Sequence, residues 1–481
     1  MNGDFSKVIC KYCKKEYDNA DSCPYCGRSA KDGILSMPKR YIACLAILVV
    51  GLVTAAAFLA LNMRPSPYMT DDEAVITVEN DGQTLFIVNG KCVGSIDGKV
   101  ESSLTGAGNM AFVSGGVLYK VDRSSLEQIA DDVVAFTMSS NGKKTAYINT
   151  VGELYLYGGK SKLIDYNVIA SGLCISRKGA LAYVKQETAG DVMYTYTSGK
   201  PSRIKEGRYP VSISDGAGVV FATDASLNLY RIKSKKESKI GENIVSDSMS
   251  VSYDRSQILF CTSDGEYIYS SSAGAVKIGN GAYSMLRVNN EKDMQYQSYA
   301  ASIVGVRSFF EKFYLSFDGE LIKVDKKGTP SEVDTGVDGG YAFISGKSAV
   351  YKKDGKLLKC RYSSLKKTEM ASDVADFTVS ADGRYLYYTD SSKAFYVAYA
   401  SRKAKKKADT CAFFTVFDGD YCQYVTDDGN IYAMRGTRSS KQVGEGASAF
   451  VGRVKSCAYT CADGIYYGSG NKKQLKKYEK K

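Results

Sequence analysis

The chain contains no histidine, no tryptophan and only seven prolines in 481 residues. Without histidine there can be no Ser-His-Asp or Cys-His nucleophile, no imidazole general base and no His-ligated zinc or haem. Other catalytic signals are missing too: no G-x-S-x-G elbow and no phosphate-cradling glycine loop follows the first 61 residues, and no S-x-x-K stretch there stands out as a catalytic element. Many aspartates there sit in Asp-Gly pairs, where a turn role suffices. A spatial carboxylate pair of the glycosidase kind leaves no mark in spacing. The chain is therefore read as a non-enzyme. What is abundant is glycine (46) and tyrosine (37), with 44% hydrophobic and 24% charged residues. That composition buries a core and favours strands joined by turns.

Charge is moderately basic, 64 Lys+Arg against 52 Asp+Glu, or +12. Much of the excess lies in three runs, at 233–239, 402–407 and 472–481. Such a balance can meet nucleic acid, an anionic lipid face or an acidic wall polymer. Runs in turns and a tail read first as solvated.

The amino-terminal segment carries Cys10-x-x-Cys13 and, nine residues on, Cys23-x-x-Cys26-Gly27. Two such pairs form two tight knuckles whose four thiolates close a tetrahedron around Zn²⁺, leaving no position for water. So short a segment cannot fold on apolar burial, and metal binding would supply its folding energy. Disulfides or a redox pair are the alternatives, and neither pair lies in a βαβ pattern. The segment resembles the minimal zinc ribbons that begin many bacterial membrane proteins. The expected metal ligands are Cys10, Cys13, Cys23 and Cys26, holding structural zinc in a ribbon over residues 1–30.

A basic linker, 31–40, precedes 21 uncharged residues, Tyr41 to Leu61. At 1.5 Å per residue these span about 30 Å, the thickness of a hydrocarbon core. Arg28, Lys31, Lys39 and Arg40 lie before the span. After Arg64 no Lys or Arg occurs until Lys91, with Asp71, Asp72 and Glu73 between. Positive residues stay inside, so the amino terminus is expected in the cytoplasm and the bulk of the chain outside, behind a single-pass anchor and a 62–73 linker. Four zinc thiolates also suit a reducing compartment.

Beyond residue 74 a period emerges. Hydrophobic-plus-aromatic or aliphatic pairs recur at Leu118-Tyr119, Leu154-Tyr155, Met193-Tyr194, Leu229-Tyr230, Ile268-Tyr269, Leu321-Ile322, Leu357-Leu358, Phe395-Tyr396, Ile431-Tyr432 and Ile465-Tyr466. The steps are 34 to 39 residues, with one of 53 between the fifth and sixth pairs. A second aromatic precedes each anchor by 7 to 11 residues. Each unit reads as four short alternating strands with Asn-Gly or Asp-Gly turns. A unit of about 37 residues cannot bury both faces alone, whereas radial stacking can. The pattern FTVSADGRYLYYTD (377–390) and its cousins resemble TolB-like and WD-repeat-like β-propellers of bacterial envelope proteins of Gram-positive type. The tryptophan-bearing propeller signatures are absent. The fold expected is all-β: a propeller of about ten four-stranded repeats over 74–470, in one large ring or two smaller ones, with a Lys-rich tail at 471–481. Residues 74–103 are too short for a full unit and are expected to lend a strand to the last one.

Two further readings concern the outer region. The segment 301–314 has Ile303, Val306, Phe309, Phe310 and Phe313 near helical spacing, as a rim helix would. Eight scattered cysteines outside the span suit free thiols better than a disulfide framework.

The function expected is a membrane-anchored extracytoplasmic scaffold at the cell envelope, binding a protein, peptide or wall polymer on its propeller. The alternatives are a transmembrane coupler or sensor, and a surface glycan-active enzyme. A nucleic-acid role is not expected. The first 40 residues carry +3, which four thiolates and Zn²⁺ lower to about +1.

Overall fold

A computed structural model describes residues 7–27 and 75–479, each with short breaks, the longest at 281–294. The Tyr41–Leu61 span and its basic linker lie outside the described residues. Among the described residues there is no α-helix, and no helix long and apolar enough to cross a membrane. The chain divides into two compact units, Met1–Ser66 and Pro67–Lys481.

The larger unit is all-β. Its strands form eleven sheets, numbered one to eleven in chain order. They begin at Ile76, Ser102, Val133, Cys174, Tyr209, Ser250, Lys312, Ala342, Val374, Phe413 and Ala449. Each is an antiparallel meander in sequence order, of four strands except in sheets one and seven, which have three. Sheet six gains two more, Gln295–Gln297 and Ser302–Val304, the latter parallel to Ser250–Val251.

The second strand of each sheet explains the architecture. In a strand, successive side chains face opposite ways, and here both faces are apolar. Phe86 and Val88 pack with Met110 and Phe112 of sheet two. Leu85 and Ile87, one step out of phase, pack with Ala458 and Ile465 of sheet eleven. The same division holds round the molecule. Leu386 and Tyr388 fill the seam with sheet eight, and Tyr387 the seam with sheet ten. Eleven apolar clusters result, one between each consecutive pair and one joining last to first. The sheets form one closed β-propeller ring, in which first strands of neighbours approach one another. Gly90 N–H donates to Ser456 Oγ (3.1 Å) and Tyr478 OH to Gln83 Oε1 (3.4 Å) across the closing seam.

The count of about ten is therefore corrected to eleven, in one ring. The missed unit is sheet one. Its third strand, Lys91–Asp97, sets Gly94 opposite Phe86, where six other units place a tyrosine and the remaining four a larger side chain. Phe86 stacks instead on Phe112 of the next sheet, at 4.6 Å between centroids. Residues 76–97 thus form a sheet of their own rather than lending a strand. The last sheet takes its fourth strand from the Lys-rich tail, where Lys476–Lys477 pairs with Tyr466 and Tyr467.

The two periodic markers stay in phase because they touch. The second-strand aromatic lies across from the third-strand one: Phe112 on Tyr119, Tyr147 on Tyr155, Tyr424 on Tyr432 and Tyr459 on Tyr466 all stack at 5.1 Å. The rim helix expected near 301–314 is replaced by strands Ser302–Val304 and Lys312–Leu315. Phe313 and Tyr314 alternate into the two seams of sheet seven, and Phe309 is buried beside Tyr314. Period two, not 3.6, places these aromatics.

Candidate metal centre

In the small unit, strands Lys7–Ile9 and Glu16–Asp18 pair antiparallel, with Val8 opposite Tyr17. The hairpin between them is the first knuckle. Cys10 N–H donates to Lys15 O (2.8 Å) and Lys14 N–H to Cys10 O (2.9 Å). Lys14 takes a left-handed φ of 60° to make the bend. The backbone N–H of Cys13 points at Cys10 Sγ, 3.5 Å away. In the second knuckle Gly27 N–H donates to Cys23 O (2.8 Å) at φ 68°, a conformation that glycine adopts without strain.

These turns bring all four sequence-predicted sulfurs, Cys10, Cys13, Cys23 and Cys26, within 4.8 Å of one another. Cys10 and Cys26 are 3.7 Å apart, and Cys13 and Cys23 3.6 Å. A tetrahedral ion with metal–sulfur bonds of about 2.3 Å sets its sulfurs about 3.8 Å apart. The two close contacts run between knuckles, not within them, as shared coordination requires. Neither distance is near the roughly 2.05 Å of a disulfide. The cluster fits a metal ion. Cys10 and Cys23 are buried with Tyr17, while Cys26 is exposed.

With sulfurs alone around it, Cys13 resists ionisation. A backbone hydrogen bond at Lys15 favours the Cys13 thiolate. Desolvation and hydrogen bonds with Cys10, Cys23 and Cys26 outweigh it, and the thiol is pushed up to about 11. A divalent cation among the four reverses that balance, which makes metal uptake coupled to proton release.

No family model matches this chain, and no curated protein does. Among solved structures it is similar to a candidate TolB from Agrobacterium tumefaciens, at 16% identity over 40% of this chain and 85% of that one (TM-score 0.30). It is similar also to the extracellular domain of a candidate one-component system from B. thetaiotaomicron, at 9% identity over 86% and 76% (TM-score 0.31). The tricorn protease matches at 11% over 82% and 60% (TM-score 0.23). The propeller assignment rests on the chain's own eleven seams.

In the ring, the Asp-Gly carboxylates do turn work. Asp264 accepts from Thr262 and Tyr267, which with Lys277 hold it down at about 2. Asp428 binds Thr426 and Asn430 likewise. Ser139, Ser214 and Ser380, at the ends of first strands, accept from N–H groups five residues on. Six of the eight outer cysteines are buried, all eight are free, and burial pushes the Cys174 and Cys411 thiols up to about 12.

Three ring features were not foreseen in the sequence. A groove of about 780 Å³ lies between sheets nine and ten, lined by Lys406, Lys407, Asp409, Tyr424, Asp428 and Tyr432 among others. Asp165 and Asp334, ending the last strands of sheets three and seven, reach into the next sheet. Each accepts a tyrosine hydroxyl (Tyr183, 2.8 Å; Tyr351, 2.6 Å) and a lysine ammonium (Lys185, 2.6 Å; Lys353, 2.8 Å), and Lys367 adds a second cation at Asp334. Glu266, 1% exposed on sheet six, has no hydrogen-bond partner for Oε2 among the described residues, and burial raises it to about 8. The Asp-x(16–17)-Tyr-x-Lys spacing was readable as a repeat. Glu266 carried no signal beyond a carboxylate following Asp-Gly.

Proposed function

We propose that this chain is a membrane-anchored, extracytoplasmic binding scaffold whose amino-terminal cysteines hold structural zinc on the cytoplasmic side. One observation carries the scaffold reading: the ring closes on itself through the sheet eleven–sheet one seam. A closed ring leaves only short, protected strand edges and presents its turns as two rigid faces, which suits recognition. Zinc is preferred because four thiolates with tetrahedral spacing and no water position match its structural sites. The anchor rests on the uncharged run 41–61 and the basic residues before it.

The test places one epitope before residue 7 and another after residue 479 of the full chain in intact cells. The reading expects the second to label without permeabilisation and the first only after it. Labelling of both, or of neither, on intact cells overturns the anchored orientation. Elemental analysis of the purified chain should give one zinc, lost in the Cys10→Ser/Cys23→Ser variant.

A further inference from the structure

The turns of the ring segregate by charge. Because every sheet is a meander, its first-to-second and third-to-fourth turns lie on one side of the ring. Its second-to-third turn and the connection to the next sheet lie on the other. On the first side, the third-to-fourth turns of sheets two to five and eight to ten each carry at least one Lys or Arg, as does turn 325–329 of sheet seven, whose three described strands are the counterparts of second to fourth strands elsewhere; that of sheet six carries none. Arg123, Lys160, Lys200, Lys235, Lys366 and Arg438 are examples, and all six are exposed. First-to-second turns of sheets three, four and nine add Lys143, Lys144, Arg177, Lys178 and Arg384.

The described carboxylates of that side are engaged locally. Asp122, Asp254 and Asp325 accept from their own turn N–H groups, Asp215 pairs with Arg177 (3.2 Å) and Asp420 with Arg435 (3.0 Å). The opposite side is acidic. Connections between sheets carry Asp132, Glu242, Asp338, Asp373, Asp409 and Glu445. The hairpins add Asp264, Asp354, Asp428 and Asp463. Leaving aside 98–101 and 280–311, which break the meander, the cations among that side's described turn residues are Arg208 and Lys393. A net charge of +12 spread evenly would not do this. One sign recurring at the same turn of successive sheets makes a continuous potential over that side.

We infer that the basic side of the ring docks a soluble linear polyanion bearing repeated phosphate groups. The exposed cations are mostly lysines, point charges that suit successive phosphates better than the planar fork fit of a carboxylate. They recur from turn to turn, so a chain-like ligand can contact several at once, and affinity sums over them. A polymer is preferred to a bilayer because first strands start on the acidic side, so the chain enters the ring there, at Ile76. If the anchored reading holds, the tether joins the acidic side and leaves the basic one free for a soluble ligand.

The test is binding of linear polyphosphate to the full chain in detergent, followed against salt. Two variants are compared, each losing five cations to glutamine. One changes the turn residues Arg123, Lys160, Lys200, Lys235 and Lys366. The other changes Lys91, Lys205, Lys239, Lys356 and Lys393, which lie outside these turns. The turn variant should bind at least about tenfold more weakly, with a flatter salt dependence, about 0.7–0.9 in log–log slope per lost contact. The control should stay within about twofold. Equal weakening of both variants, or no binding by the wild type, overturns the inference. So does equal affinity for polyglutamate, or binding to phosphatidylglycerol vesicles without binding to polyphosphate. Thermal unfolding checks that both variants fold. The assay does not depend on which side of a membrane the ring occupies, so it fails or holds separately from the epitope test.

Discussion

The two units of this chain solve the same problem in opposite ways. The cysteine knuckles bury Cys10, Cys23 and Tyr17 and little else, so four sulfurs around one point must substitute for a core. The ring has eleven apolar seams, each shared by two sheets, and no seam is the sole support of the fold. With a metal held by the four sulfurs, one design would concentrate its stability in a single removable ion, whereas the other distributes it over side chains from end to end. The first should therefore fail all at once and the second by degrees.

The sharpest way to break that contrast is to take the metal away. Chelation, or Cys10→Ser with Cys23→Ser, should unfold residues 7–27 completely and leave the ring's thermal transition within about 1 °C. Hydrogen exchange of the two units, followed separately, reads the outcome. A matching loss of protection in the ring would refute independence.

A smaller effect tests whether polar ties supplement the seams. Asp334 is 8% exposed and bound by Tyr351, Lys353 and Lys367. Its burial alone would raise its pKa, but these hydrogen bonds hold it well below the usual carboxylate range. Asp334→Asn should cost about 2–3 kcal/mol in denaturant unfolding, at the low end for a buried pair because both lysines keep solvent contact. A depressed folded-state pKa means that the stabilisation is present above the ordinary aspartate value and is lost as pH falls. The variant should accordingly show a weaker acid dependence below pH 4.

A further, pH-dependent effect concerns Glu266, buried with one oxygen unpartnered among the described residues. Its folded-state pKa, about 8, lies above the ordinary value of 4.5. Protonation therefore favours the folded ring. Stability is full below about pH 4.5 and falls as pH rises towards 8, by up to about 1.4 kcal/mol per pH unit. Glu266→Gln should remove that slope and stabilise the ring at pH 8. An unchanged slope would mean that a partner for the carboxylate forms in solution.

Much of this could be read before the structure. Ten of the eleven sheets announced themselves because each anchor stacks on, or lies opposite, an apolar residue of the strand before it, so one contact imposes two markers at nearly constant separation. Sheet one stayed hidden because Gly94 faces Phe86, and the stacking partner, Phe112, belongs to another sheet. The cysteine cluster was legible because two C-x-x-C knuckles are local: each thiolate's position follows from a few dihedrals.

What the sequence determined alone is therefore whatever neighbouring residues can settle: strand alternation, Asp-Gly turns, the repeat length and the clustered cysteines at 10, 13, 23 and 26. Ring closure, the count of eleven, the burial of Glu266 and the separation of charge between two sides were decided by tertiary structure. Each depends on which sheet lies beside which, and on the side to which every turn projects. Those relations join residues tens to hundreds of positions apart, as Gly90 and Ser456 are joined, and no local pattern encodes them.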